Sequence, residues 1–244
     1  MGKYDAYCLG GKYDTTGTHI SANKPIFVLS GSFSEKLNEF TGRDVFYESL
    51  TPTTIWGNHF SLVPLNVRTP GFVRILSSME NTMVNIFFSN HSLTQNYSLD
   101  RGESHDVLLF GDTNEIVEIV STKPLLVAQF TSQSNDFEWT DPSMVLVPSH
   151  LQNTKNDIMF PVFTFPSDEQ LLSYVTVWCN GDTSELTLDN SPNTNWTVIG
   201  VDNFGSVIVR AFLLPGSHIL QTNTDIRAVV NVAKKFMSYS FPLP

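Results

Sequence analysis

The residues best suited to chemistry lie in Ser134-Asn-Asp-Phe-Glu-Trp-Thr-Asp-Pro-Ser143, which gathers the carboxylates of Asp136, Glu138 and Asp141. Carboxylate oxygens are the hard ligands that Ca²⁺ takes. Trp139, set among them, offers a face on which a sugar ring or a partner side chain can stack. The plainer reading is a structured turn, because Asp-Pro suits turn initiation and an Asp side chain bonds nearby N–H groups. Trp139 then caps a layer of packed strands. Trp196 is the second aromatic candidate for binding. For the four tryptophans as a group, core packing is the simpler role. Trp178, whose side chain faces away from Val175, Val177 and Cys179, is the one expected to be partly exposed.

Nucleophilic and metal chemistry find little support. The chain contains no G-x-S-x-G elbow, phosphate loop, H-E-x-x-H or EF-hand pattern. The six histidines, at positions 19, 59, 91, 105, 150 and 218, are scattered singly and read as surface or strand-end residues. A Ser-His-Asp triad is defined by geometry and could assemble from distant positions, but nothing in the spacing points to one. Cys8 and Cys179 are too few and too far apart for a metal site or a disulfide scaffold. Cys179 is either a buried free thiol, behaving as a small hydrophobe, or bridged to Cys8. We expect no catalytic residue, no metal site and no cofactor. Three glycosylation acceptors, Asn90-His-Ser92, Asn96-Tyr-Ser98 and Asn195-Trp-Thr197, fall in expected loops.

The composition narrows the classes further. Of 244 residues, 41% are hydrophobic and only 16% charged, with a net charge of −10. The first figure supports a packed core. The charge argues against nucleic acid, whose phosphates need a basic face, and against anionic membranes. The apolar runs are far shorter than the roughly 20 residues of a membrane span. The opening Met-Gly-Lys-Tyr-Asp-Ala-Tyr has no apolar signal core, so the sequence as given carries no export tag and reads as a piece of something longer.

The elements that must position these residues are strands. Val84, Ile86 and Phe88 alternate with less buried positions, as do Val207, Val209 and Ala211, the period of half-buried strands. Turn chemistry separates such runs, as in Leu99-Asp-Arg-Gly102, Asn180-Gly-Asp182 and Pro215-Gly-Ser217. The pattern also recurs. Gly17–Ser30, Thr113–Gln129 and Gly216–Asn231 share one grammar, with Pro25, Pro124 and Ile226 spaced by 99 and 102 residues. A unit of about 100 residues is the size of a β-sandwich. We therefore expect an all-β chain of two tandem, related sandwich units, residues 1–132 and 133–244. Residues 1–32 would hold closing strands, which either complete the first sandwich or belong to a truncated unit.

Three segments carry a family resemblance. Thr18-His-Ile-Ser-Ala-Asn-Lys-Pro-Ile-Phe-Val-Leu-Ser-Gly31 resembles a stretch of the IgG Fc-binding protein N-terminal domain. Pro52-Thr-Thr-Ile-Trp-Gly-Asn-His-Phe60 and Asp141-Pro-Ser-Met-Val-Leu-Val-Pro148 fit in the same order, and the likeness runs roughly from Tyr4 to Phe241. The stretch Gly31–Asp44 lacks the cysteines that the family resemblance would place there. The resemblance implies a secreted, extracellular, non-catalytic adhesion or binding module. It would meet extracellular or mucus proteins and glycoproteins through loops at the sandwich ends, and would neither bind nucleic acid nor insert in a membrane. The alternative is a glycan-binding, lectin-like module, with or without calcium, using Trp139 or Trp196.

Overall fold

A computed structural model describes residues 2, 4–11, 13–35, 44–65, 71–90, 93–109, 114–132, 141–155, 157–163, 172–191, 194–234 and 237–243. The described residues are almost all β. In the first half the strands are β1 (Leu29–Glu35), β2 (Asp44–Ser49), β3 (Gly57–Leu62), β4 (Gly71–Ser77), β5 (Thr82–Phe88), β6 (Leu93–Leu99), β7 (Ser104–Leu109), β8 (Val117–Thr131) and β9 (Ser143–Leu146). The second half holds β10 (Ile158–Val162), β11 (Leu172–Cys179), β12 (Thr187–Leu188), β13 (Thr197–Val201), β14 (Val207–Phe212), β15 (Gly216–Gln221), β16 (Ile226–Lys234) and β17 (Met237–Leu243). Every pairing between these strands is antiparallel.

The long strand β8 organises the first half. Its opening residues pair with β3 (Leu62 opposite Val117) and β5 (Phe88 opposite Val117). Beyond Thr122-Lys-Pro124 its closing residues pair with β4 (Ile75 opposite Val127) and β9 (Ala128 opposite Leu146). Pro124 stands where the strand changes partners, so its missing N–H costs no ladder bond. Its carbonyl instead accepts from the Ser78 hydroxyl at 2.7 Å. The two ladders enclose a sandwich-like core of Phe60, Leu62, Val84, Ile86 and Val117 against Val73, Ile75, Val107, Leu125 and Val127.

The second half repeats these neighbours with separate strands. β15 pairs with β10 and β12, β16 with β11 and β17, and β11 with β14. In the first half the same relations join β8 to β3 and β5, β8 to β4 and β9, and β4 to β7. The alternation of Val175, Val177 and Cys179 points into a second core with Val209, Ala211, Leu220, Ile226 and Val230.

The segment Gly17–Ser30, read from its sequence as two short strands around Asn23-Lys-Pro25, does not form that hairpin. From Tyr4 to Val28 the described chain contains no strand, and strand geometry begins only at Leu29. An isolated two-stranded hairpin is marginal in water, and here local side-chain bonds hold the chain instead. The Thr16 N–H donates to Asp14 Oδ1 at 2.9 Å, and the Thr18 hydroxyl to the Thr15 carbonyl at 2.7 Å. Arg74 on β4 reaches both Asp14 and Thr16.

The halves meet through a third apolar cluster. Val63, Leu65, Ile116 and Val145 pack against Trp178, Ile208 and Val229. Gly200, beside a bulge in β13, eases this approach, since a Cβ there would lie 2.8 Å from Ile116 Cδ1 and the isoleucine tip would have to shift. Trp178 does face away from Val175 and Val177, but it is 2% exposed. The expectation of an exposed indole fails because the outer face of β11 is covered by chain from the first half.

Candidate functional sites

The polar residues that come together do so at this junction. Asp202 lies in the turn between β13 and β14, and its Oδ1 accepts from the Phe204 and Ser206 N–H groups at 3.1 and 2.8 Å. Gly205, at φ +84°, lets the chain close that turn. Oδ2 points across the junction and accepts from the Ser61 hydroxyl of β3 at 2.6 Å. Arg227 of β16 lies 3.6 Å from the same oxygen and donates to Ser61 Oγ at 3.3 Å. His150 Nε2 sits 3.4 Å from Ser61 Oγ and 3.6 Å from Asp202 Oδ2. Phe204 closes the cluster between the rings of His59 and His150. Beside it, the Glu118 carboxylate accepts both the backbone and side-chain N–H of Asn203 at 2.6 Å.

Serine, histidine and aspartate have thus converged, but not as a relay. A triad imidazole holds the hydroxyl through one ring nitrogen and the carboxylate through the other. Here one nitrogen of His150 faces both groups, and Ser61 gives its proton directly to Asp202. Burial, then the charge of Arg227, pushes His150 down to about 4, so the ring is neutral at pH 7. Burial also lowers Arg227 to about 10, opposed by Asp202. The cluster works as a charged clasp between the halves.

A second feature is open to solvent. Trp56, Phe60, Leu125, Leu126, Leu146 and Leu243 contribute to the walls of a cavity of about 290 Å³, which Glu48 of β2 enters. Glu48 Oε1 accepts from the Leu146 N–H at 3.3 Å. Burial pushes this carboxyl from 4.5 up to about 7, opposed by that hydrogen bond. The folded protein therefore keeps the proton to higher pH than the unfolded chain, and the resulting penalty grows as pH rises from about 4.5 to about 7. Glu48→Gln is expected to leave the melting temperature unchanged at pH 4 and to raise it by a few degrees at pH 8. Calorimetric scans at the two pH values check this, and an equal shift at both would contradict it.

Of the residues singled out in the sequence, Asp136, Glu138 and Trp139 lie outside the described residues. Asp141 is half-buried, and burial and the nearby charge of Asp44 raise its carboxyl above the usual range. Trp196 packs against the second core, and its indole N–H donates to the Leu186 carbonyl at 3.3 Å. Asn90, Asn96 and Asn195 are exposed, although Asn96 stands within β6 rather than in a loop. Cys179 is a buried free thiol and Cys8 an exposed one, which settles the open choice against a bridge. His218, expected at the surface or at a strand end, is buried within β15 and held between Asp189 Oδ2 and the Leu214 carbonyl at 2.8 and 2.6 Å.

No sequence signal marked Ser61, His150 and Asp202; Ser61 lies 89 positions from His150 and 141 from Asp202. Glu48 was missed as well, since a lone carboxylate in a strand carries no pattern. Among the described residues no group of three or more His, Cys, Asp or Glu is placed to hold a metal ion, and no helix is long and apolar enough to cross a membrane.

These features define an antiparallel, sandwich-like β protein with a charged clasp at its middle. The chain belongs to the IgGFc binding protein family, whose model matches residues 1–231. That family is one of binding modules, typically extracellular, and not a known enzyme family. No curated protein and no solved structure matches the chain.

Proposed function

We propose that the chain is a non-catalytic extracellular binding module that contacts protein partners through loops at the ends of its sandwiches. The observation that carries this reading is the family match across residues 1–231. The recurrence of the same strand neighbours in both halves supports two tandem related units; β9 (Ser143–Leu146), which pairs with β8, falls beyond the 132/133 division expected from the sequence.

One loop end is suited to contact. The segments 77–82, 100–103 and 122–124 are tied together by the Asn81 N–H on Asp100 Oδ1 at 2.8 Å, the Gly102 N–H on the Ser77 carbonyl at 3.0 Å and Lys123 Nζ on the Glu80 carbonyl. Met79 and Met83 stand 48% and 46% exposed there. A rigid sheet pair holding adaptable side chains is a common way to present a binding surface. In the secreted setting, exposed Asn90, Asn96 and Asn195 are glycan acceptors.

The test is affinity capture from mucus or another extracellular fluid with the immobilised chain, with and without competing sugars and chelator. The expected result is a defined protein retained in near-stoichiometric amount and unaffected by either competitor. Loss of the retained species on adding free sugar or chelator would move the chain to the glycan-binding class. Turnover of an ester or glycoside panel, abolished by a single histidine substitution, would overturn the non-catalytic reading.

A further inference from the structure

We propose that the cavity at Glu48 is the socket for a lysine side chain presented by a protein partner. This inference rests on the protein-binding reading above and names what one contact would recognise.

The walls suit an aliphatic stem. Among the lining residues Phe60, Leu125 and Leu243 are buried and Trp56 and Leu146 half-buried, while Ser49, Thr51 and Gln152 add polar groups. At about 290 Å³ the space lies at the small end of ligand sites, which run from about 300 to 1,000 Å³, so it suits one long side chain rather than a cofactor. Leu125 and Leu126 directly follow the Thr122-Lys-Pro124 corner, so the socket opens beside the loop end already described.

Among the described residues that line it, the one ionisable group is Glu48. Among the described residues no cation pairs with this carboxylate, whose partner is the Leu146 N–H on Oε1. A buried carboxylate without a counter-charge is costly, and an arriving ammonium relieves that cost. The same geometry separates lysine from arginine. A guanidinium fork uses both carboxylate oxygens for bidentate binding, and Oε1 already gives one lone pair to the Leu146 N–H, so the fork is the poorer fit. An ammonium is a point charge and needs only Oε2. The net charge of −10 favours the approach of a basic partner surface.

The test uses the intact chain and three probes: acetyl-Leu-Lys-Leu-amide, the same peptide with norleucine for lysine, and free hexylamine. The Trp56 indole N–H, which donates to the Thr51 carbonyl at 3.1 Å, reports occupancy in ¹⁵N spectra. A Trp56→Phe sample assigns its resonance. We expect saturable shifts with the lysine peptide, at least tenfold tighter than with norleucine. In Glu48→Gln, which keeps an acceptor for Leu146, that preference should fall below threefold while norleucine binding is unchanged.

Equal binding of the two peptides to the native chain, or a lysine preference that survives Glu48→Gln, would overturn the socket. Hexylamine binding as tightly as the lysine peptide would make it a small-amine site instead. Capture of a protein partner unaffected by Glu48→Gln, alongside silent peptides, would remove this inference and leave the binding reading standing.

Discussion

Asp202→Asn should destabilise the fold by about 3–5 kcal/mol, the usual cost of removing one member of a buried ion pair. The substituted amide keeps an acceptor for the Phe204 and Ser206 N–H groups. On the other side it presents an N–H₂ to Arg227, donor against donor, and the Ser61 hydroxyl loses its charged acceptor. Arg227, 1% exposed, is then left without its counter-charge. At about 2–4 °C per kcal/mol for a chain of this size, the melting temperature should fall by about 10 °C. The double replacement Asp202→Leu with Arg227→Met should recover much of the loss, since apolar pairs often substitute for buried ion pairs. A single-variant loss below about 1 kcal/mol would show that the clasp contributes little.

Trp178→Ala should cost a comparable 3–5 kcal/mol, about what deletion of a buried large aromatic entails. The indole lies between Ile208 and Val229 on its own half and Val63, Leu65, Ile116 and Val145 on the other. It also lies beneath the Arg227 guanidinium, 5.7 Å from the ring. Truncation therefore opens a cavity and strips one face from a buried cation. Trp178→Phe should be milder, because the indole N–H is buried with no hydrogen-bond partner among the described residues. Urea unfolding checks both variants. An alanine midpoint equal to that of the native chain would mean that the halves do not depend on this contact.

The two predictions concern residues that were read very differently from sequence. The inward faces of β5 and β14 were legible, because Val84, Ile86 and Phe88, and likewise Val209 and Ala211, alternate with the period of a strand. The direction of the Trp178 side chain was legible for the same reason. Its burial was not, because the covering residues lie at least 33 positions away and belong to the other half. Ser61, His150 and Asp202 follow the same rule, being assembled by packing and not by spacing. The segment Gly17–Val28 shows the opposite error. It has strand-like content, but apart from Val28, whose carbonyl accepts from the Leu50 N–H at 2.9 Å, no described strand pairs with it, and a strand exists only by virtue of its neighbour.

The double duty of β8 also bears on how the protein is made. Three of its partners, β3, β4 and β5, precede it in the chain, and only β9 follows. Until Thr131 has left the ribosome, those earlier strands have nothing to join them into one layer pair. Val73, Ile75, Val84 and Ile86, all 0% exposed at the end, remain open to water throughout that interval. Pairings that must wait for a distant strand form slowly and leave apolar edges open to misassociation. Translation past the β8 corner is therefore the step at which holding chaperones matter most to this chain.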